Sequence, residues 1–271
     1  MELAELVRLT FVEDLGPGDI TTESCVPTGT EGAGRIYAKQ ALVVSGLLAA
    51  AECFRQQGVA FRPSVADGDE VGDGQNVARI SGPLQGILRA ERPALNFLMR
   101  LSGIATHSAS VVAAAEGKVR VVCTRKTTPL HRALEKAAVR HGGGHNHRQG
   151  LYDGVMIKDN HIIAAGGITA AVRAARERVH HLLRIEVEVE DLEQLREALA
   201  VGADIVLLDN MDDRTLAEGV AITAGRALLE ASGNMDAARI AGLKDHGLDV
   251  ISVGGLIHQA RWVDLSLRLD P

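Results

Sequence analysis

The sequence predicts an α/β protein in two parts, a β-rich N-terminal region and a C-terminal run of alternating strands and helices that closes into a barrel. Three observations predict it. Between residues 33 and 88, short apolar runs are separated by glycine turns and one helix-like stretch. After Gly117, six apolar runs recur with helix-like spacers such as ITAAVRAARERV and LEQLREALAVG: VRVVCT at 119–124, GVMIK at 154–158, RIEVEV at 184–189, DIVLLD at 204–209, ALLEAS at 227–232 and DVISVG at 249–254. Strand, helix, strand in this rhythm builds a parallel sheet. Finally, nearly every run delivers a polar or backbone-access residue at its C-terminal end: Arg125, Lys126, Lys158, Glu188, Asp209, Ser232 and Gly254. A barrel builds its site from all the strand ends, whereas an open sheet concentrates it at one switch point, so the tips favour the barrel.

The elements follow in order. Residues 1–15 read as a helix with Leu3, Leu6, Val7 and Leu9 as its apolar stripe, ended by Gly16-Pro17-Gly18-Asp19. AGRIYAK, ALVVSG, NVARISG and LQGIL read as strand-like, and Leu47–Gln57 as a helix among them. Asp67–Gly74 is turn-rich, with glycines where positive φ is cheap. It resembles the hairpin of small carrier barrels but presents no lysine. Arg89–Glu116 is a long helix carrying Leu95, Leu98, Leu101 and Ile104 at helical spacing; Pro93 is expected in its first turn, and Gly103 marks a break or a close helix contact. VDLSLRL near the C-terminus alternates as a strand and is expected to return to the N-terminal sheet. The expected division is 1–112 with 258–271 as one domain and 113–257 as the other.

Composition narrows the function classes. The chain has 271 residues, 46% of them apolar and 24% charged, which is an ordinary globular balance with ample length for a core. A formal net charge of -6 argues against general nucleic-acid binding, which needs a broad basic surface. The three cysteines, Cys25, Cys53 and Cys123, give no disulfide framework and fit a reducing cytoplasm. The acidic, amphipathic N-terminus is not a signal peptide, and no window has the length and apolarity of a membrane span.

The segment from Val119 to His161 carries the chemistry. Two apolar strands end abruptly in fixed cations, Arg125 and Lys126 after one and Lys158 after the other, with a Gly142-Gly143-Gly144 turn between them. Arginine grips carboxylate or phosphate bidentately and lysine is a compact point charge, so these tips suit a pocket for a small polyanion. His141, His145 and His147 allow a metal site, but no acidic ligand lies beside them and Arg148 is unfavourable in a metal shell. A glycine loop presenting His147 and Arg148 to an anion is the better reading. Glu186 and Glu188 share one face of a strand, and with Asp209 such carboxylates can hold Mg²⁺ or ribose hydroxyls, or neutralise Lys126 and Lys158. Ser232-Gly233 and Ser252-Val253-Gly254-Gly255 leave backbone N–H groups open to a phosphate.

Taken together, EDLGPGDITTESCVP, ERPALNFLMRLSGIAT, CTRKTTP, LEKAAVRHGGGHNHRQGLYDGVMIKDNH, EVEV, LLDN, EASGN and SVGGLIH closely resemble the quinolinate phosphoribosyltransferase family of NAD biosynthesis, in order along nearly the whole chain. The resemblance implies an N-terminal open-faced α/β sandwich and a C-terminal incomplete α/β barrel of six or seven parallel strands. It implies phosphoribosyl transfer from phosphoribosyl pyrophosphate to quinolinate with loss of CO₂, Mg²⁺ as cofactor, and no nucleic-acid or membrane partner. It also implies a homodimer in which Arg92 reaches the partner's site, with a trimer of such dimers as a further assembly. By motif, Arg92, Arg125, His147, Arg148 and Lys158 would bind quinolinate. Lys126, Glu188 and Asp209 would be catalytic, with Glu188 and Asp209 on the metal. Ser232, Gly233, Gly254 and His258 would hold the 5-phosphate. The chain departs from the family pattern at Leu130, where glycine is usual, at Asn234, where a second glycine is usual, and at Gly255, Ile257 and Gln259. The rival readings are a related transferase with a different aromatic-acid acceptor and a metal hydrolase built on His141, His145 and His147.

Overall fold

The structure is a computed structural model and describes residues 2–271. Tertiary contacts divide the chain into two compact units, Met1–Ala109 with Thr128–Gly143 and Gln259–Pro271, and Ser110–Thr127 with Gly144–His258.

The chain begins with α1 (Leu3–Leu15) and α2 (Ile20–Cys25), the latter capped by Asp19, which accepts from Thr22 N–H at 3.0 Å. There follow β1 (Glu31–Ala38), β2 (Leu42–Val43), α3 (Leu47–Gln56), β3 (Ala60–Pro63), β4 (Glu70–Val71), β5 (Asn76–Pro83) and α4 (Leu84–Ala113). Next come β6 (Arg120–Val122), α5 (Arg132–His141), β7 (Val155–Ile157), α6 (Asp159–Ala165) and α7 (Ile168–Arg178). The rest is β8 (Ile185–Val189), α8 (Leu192–Ala200), β9 (Ile205–Asp209), α9 (Asp213–Thr223), β10 (Leu228–Ser232), α10 (Ala237–Leu243), β11 (Val250–Ser252), α11 (Gly255–His258) and β12 (Leu265–Leu269).

In the first unit, β12-β1-β5-β3 form an antiparallel sheet, so the C-terminal strand does return to the N-terminal one. One face of it is buried through Ile36, Ala38, Ala78 and Ile80. Four expectations need correction. LQGIL is no strand: it opens α4, and Gly86 lets its first turns approach Gln57 so closely that a Cβ would lie 2.4 Å from its carbonyl oxygen. Pro93 therefore falls inside a 30-residue helix rather than in its first turn. ALVVSG contributes only β2, which pairs with β4 in a separate two-stranded sheet fed by the 67–74 turns. In α1 the buried stripe is Leu6, Val7 and Phe11, and Leu9 falls off it at 40% exposure. Gly103 is a close contact and not a break, since a Cβ there would stand 2.1 Å from the Arg261 carbonyl oxygen.

The segment 128–143 packs with the first unit because α5 buries Glu135, which accepts from Arg100 of α4 and from Thr128. At its other end His141 Nδ1 meets Ser45 Oγ at 2.8 Å. The turn before α5 closes through His131 N–H donating to the Thr128 carbonyl, with Pro129 second and Leu130 third at φ +68°. Positive φ at the third position of a turn is glycine's place. Leu130 is 68% exposed, so its side chain gains little packing there. Leu130→Gly is expected to raise stability by about 1 kcal/mol, the strain of a left-handed β-carbon less glycine's extra chain entropy. Urea unfolding checks this, and a fall in the midpoint would refute it.

In the second unit, six parallel strands run in the order β6-β11-β10-β9-β8-β7. First and last strands are neighbours, which is barrel order, and only the β6–β7 seam is unpaired. There the backbone at His145 bridges to β6, donating to Val121 O at 2.9 Å and accepting from Cys123 N–H at 3.0 Å. All six observed strands lie within the runs read from the sequence, because β-branched apolar runs between helical spacers leave little ambiguity.

Candidate active site

The second unit gathers most of the residues expected in the site at the C-terminal ends of its strands. Arg125 and Lys126 follow β6 and are exposed. Lys158 follows β7, where its own N–H is held by His161 Nδ1 at 3.0 Å, and its ammonium pairs with Glu188 of β8. Asp209 closes β9 directly opposite Ser232 at the end of β10. Its Oδ2 accepts from Asn210 Nδ2 at 2.7 Å.

Two glycines shape the loops beyond. Gly233 sits at φ +100°, and a Cβ there would meet Asn210 Oδ1 at 2.3 Å, so only glycine fits. Arg239 fixes the same loops by donating to the carbonyls of Gly233 at 2.6 Å and Met211 at 2.7 Å. At Gly254 a Cβ would lie 3.2 Å from Lys126 Nζ and 3.6 Å from His258 Nε2, so Lys126, Gly254 and His258 converge. Asn234 takes φ +48°, the left-handed position that asparagine tolerates best after glycine. Arg92 lies exposed on α4 in the first unit.

The loop after the triple glycine turns inward. Arg148 N–H donates to His147 Nδ1 at 2.8 Å, which leaves the ring proton on Nε2. That nitrogen faces Glu186 of β8 at 3.2 Å and Glu230 of β10 at 3.6 Å. Both carboxylates are 4% exposed, and Oε1 of each has no hydrogen-bond partner. Burial, and next the charge of Glu186, push the Glu230 carboxyl up to about 7. Arg148 donates to the Gly154 carbonyl at 2.9 Å. Desolvation and then the neighbouring Arg125 charge press its guanidinium down, while Glu186 and Asp153 act the other way. Arg125 and Arg148 thus place two guanidiniums close together beside the Lys158–Glu188 pair.

Among the described residues, the group with ligand atoms close enough for a metal is His147, Glu186 and Glu230, within 4.8 Å of one another. It takes neither His141 nor His145 from the histidine cluster. The hydrolase reading therefore loses its ligand set. Cys123 is a buried structural thiol donating to Asn146 Oδ1 at 3.2 Å. Sequence reasoning missed Glu230 and Arg239. A carboxylate inside the apolar run ALLEAS was the one available signal for the first.

Comparison with known proteins agrees with this geometry. The C-terminal domain of quinolinate phosphoribosyl transferase matches residues 104–268 and its N-terminal domain matches 19–102. The chain belongs to the quinolinate phosphoribosyltransferase family. It is 40% identical to a probable nicotinate-nucleotide pyrophosphorylase (carboxylating) of Bacillus subtilis, over 98% of this chain and 93% of that protein. It is 39% identical to the nicotinate-nucleotide pyrophosphorylase (carboxylating) of Mycobacterium leprae, over 98% and 96%. The solved nicotinate-nucleotide pyrophosphorylase of Francisella tularensis superposes with a TM-score of 0.94 at 36% identity, covering 99% of this chain and 96% of that one. The two-part α/β fold with its six-stranded parallel sheet is the fold of this family.

Proposed function

We propose that this chain transfers the phosphoribosyl group of phosphoribosyl pyrophosphate to the ring nitrogen of quinolinate and releases pyrophosphate, CO₂ and nicotinate mononucleotide, in the synthesis of NAD. The observation that carries the reading is the row of cations and carboxylates on successive strand ends, within a chain that matches the family over both its domains. Arg125, His147, Arg148 and Lys158 hold the two quinolinate carboxylates. The positive field of Arg125, Arg148 and Lys158 offsets the dianion's charge in a partly buried pocket, where each charge-assisted hydrogen bond is stronger than in water. Ser232, Gly233, Gly254 and His258 receive the 5-phosphate on a backbone that glycine leaves open.

Glu188 and Asp209 orient the ribose and stabilise the positive charge that develops at C1 as pyrophosphate departs, while Lys126 faces the negative charge on the leaving group. Hard carboxylate oxygens at strand ends, with substrate phosphates completing the shell, suit Mg²⁺, so Glu188 and Asp209 are the residues that would hold it. Held there, it would offset negative charge on the departing pyrophosphate. The 2-carboxylate leaves only after the ring nitrogen has become cationic, so glycosidic bond formation precedes decarboxylation, and the electron pair left on ring C2 takes up a proton from solvent. The assembly is a homodimer in which Arg92 reaches the partner's site, and trimers of such dimers are the further form. No described helix is long and apolar enough to cross a membrane. The free cysteines fit a cytoplasmic protein.

Incubation with quinolinate, phosphoribosyl pyrophosphate and Mg²⁺ is expected to yield nicotinate mononucleotide and CO₂ in equal amounts. Arg125→Ala is expected to lower kcat/KM by about 10²-fold or more, as loss of a charged partner to a buried carboxylate does. A folded protein with no turnover would overturn the reading, and a panel of other aromatic acids would then find the acceptor.

A further inference from the structure

The antiparallel sheet of the first unit carries a feature that the reaction does not use. In its register Arg268 of β12 stands opposite Arg35 of β1, Arg35 opposite Arg79 of β5, and Arg79 opposite Arg62 of β3. Directly opposed residues project to the same face. Four guanidinium side chains therefore form one row across all four strands, and with strands about 4.8 Å apart the row spans about 14 Å. The buried face belongs to the alternate residues, Ile36, Ala78 and Ile80, so the arginines occupy the open one.

Like charges placed directly opposite each other destabilise a sheet. Among the described residues the row has one ion pair, Arg79 to Asp270 at 3.1 Å, and its partners are 58% and 43% exposed, which makes it weak. The Arg35 guanidinium lies 5.6 Å from the centre of the Tyr37 ring, which positions it without neutralising it. The neighbouring row on the same face is small, with Ala33 opposite Ser81 and Ser81 opposite Ala60. A cleft of about 460 Å³ is lined by three of the four arginines, Arg35, Arg79 and Arg268, together with Leu269, Asp270 and Pro271.

We propose that this arginine row is a binding site for a linear polyphosphate group. The charge is arranged in a line, one residue deep, so it matches consecutive phosphates better than a single anion, which would meet one or two guanidiniums. Arginine's planar fork suits phosphate oxygens. The neighbouring row of Ala33, Ser81 and Ala60 supplies none of the broad basic surface that a nucleic acid requires, and the protein as a whole is acidic at -6. Inorganic polyphosphate and the triphosphate of a nucleotide share this chemistry.

The test is calorimetric titration of the full-length protein with sodium tripolyphosphate at low ionic strength, beside the Arg35→Gln/Arg79→Gln variant. The reaction site also accepts pyrophosphate in the reading above, so the number of sites is the readout. Wild type is expected to take up about two equivalents per chain and the variant about one, with quinolinate turnover unchanged. Equal uptake by both proteins, or no second equivalent in the wild type, overturns the proposal. Arg62→Gln, at the exposed end of the row, is a second variant that leaves the sheet interior untouched, and it is expected to weaken the second site about tenfold. Unchanged affinity in that variant would remove Arg62 from the site and overturn the four-residue row. Titration with ATP separates the sources, because tighter binding than tripolyphosphate assigns a nucleotide and equal binding assigns the phosphate chain alone.

Discussion

Glu135→Ala is expected to cost about 3–5 kcal/mol of stability, the range for removing one partner of a buried ion pair. Glu135 is fully buried in the first turn of α5, where a negative charge also favours the helix dipole. Its Oε1 accepts from Arg100 Nη2 at 3.1 Å and Thr128 Oγ1 at 2.8 Å, and its Oε2 accepts from Thr128 N–H at 2.8 Å. Arg100 also donates to the Ala260 carbonyl at 2.9 Å. One carboxylate thus joins α4, the Thr128 turn, α5 and the C-terminal return. Alanine would leave a guanidinium with 18% side-chain exposure short of its anion and the Thr128 N–H short of its acceptor. Urea unfolding followed by circular dichroism measures the cost. Glu135→Gln keeps the acceptor oxygen, so its loss should be smaller; equal losses would mean that shape, and not charge, holds the network. A loss below about 1 kcal/mol for alanine would mean that water replaces the carboxylate.

Much of this architecture was legible in the sequence, and the exceptions share a physical cause. The six parallel strands could be read because their β-branched runs are buried on both faces and punctuated by helical spacers. The places of Arg125, Lys126, Lys158, Glu188 and Asp209 near the C-terminal ends of these strands could be read because each apolar run stops at or beside a charge. Where the reading failed, tertiary contact overrode local pattern. LQGIL is as apolar as a strand, yet it forms the start of α4, where Gly86 packs against the Gln57 carbonyl. Glu186 was visible as the partner of Glu188, but its closest relations are Glu230 and His147, two strands and one loop away. No spacing along the chain encodes that meeting. The arginine row was equally hidden, since its members lie at 35, 62, 79 and 268 and become neighbours only through register.

Glu230→Gln is expected to make the protein more stable at alkaline pH and to leave it nearly unchanged in acid. The wild-type carboxyl is raised from 4.5 to about 7 by burial and by Glu186. Below about pH 4 it is protonated both folded and unfolded, and so contributes nothing to the pH dependence. As pH rises towards 7, the unfolded chain releases this proton while the folded chain keeps it, so wild-type stability falls. Above about 7 the folded protein must also ionise the group, and the full cost is present. A rise of this size corresponds to about 1–3 kcal/mol once coupling to Glu186 is allowed for. Glutamine has the same shape and no proton to lose, so it removes the cost and the repulsion on Glu186 together. Urea midpoints measured from about pH 4 to about pH 9 should draw together at the acid end and separate at the alkaline end, with the variant above. Parallel curves would show that Glu230 does not titrate in this range. A variant less stable at every pH would show that a carboxylate at this position holds His147 in place, and that the pocket keeps its buried charge because His147 needs an anion to face.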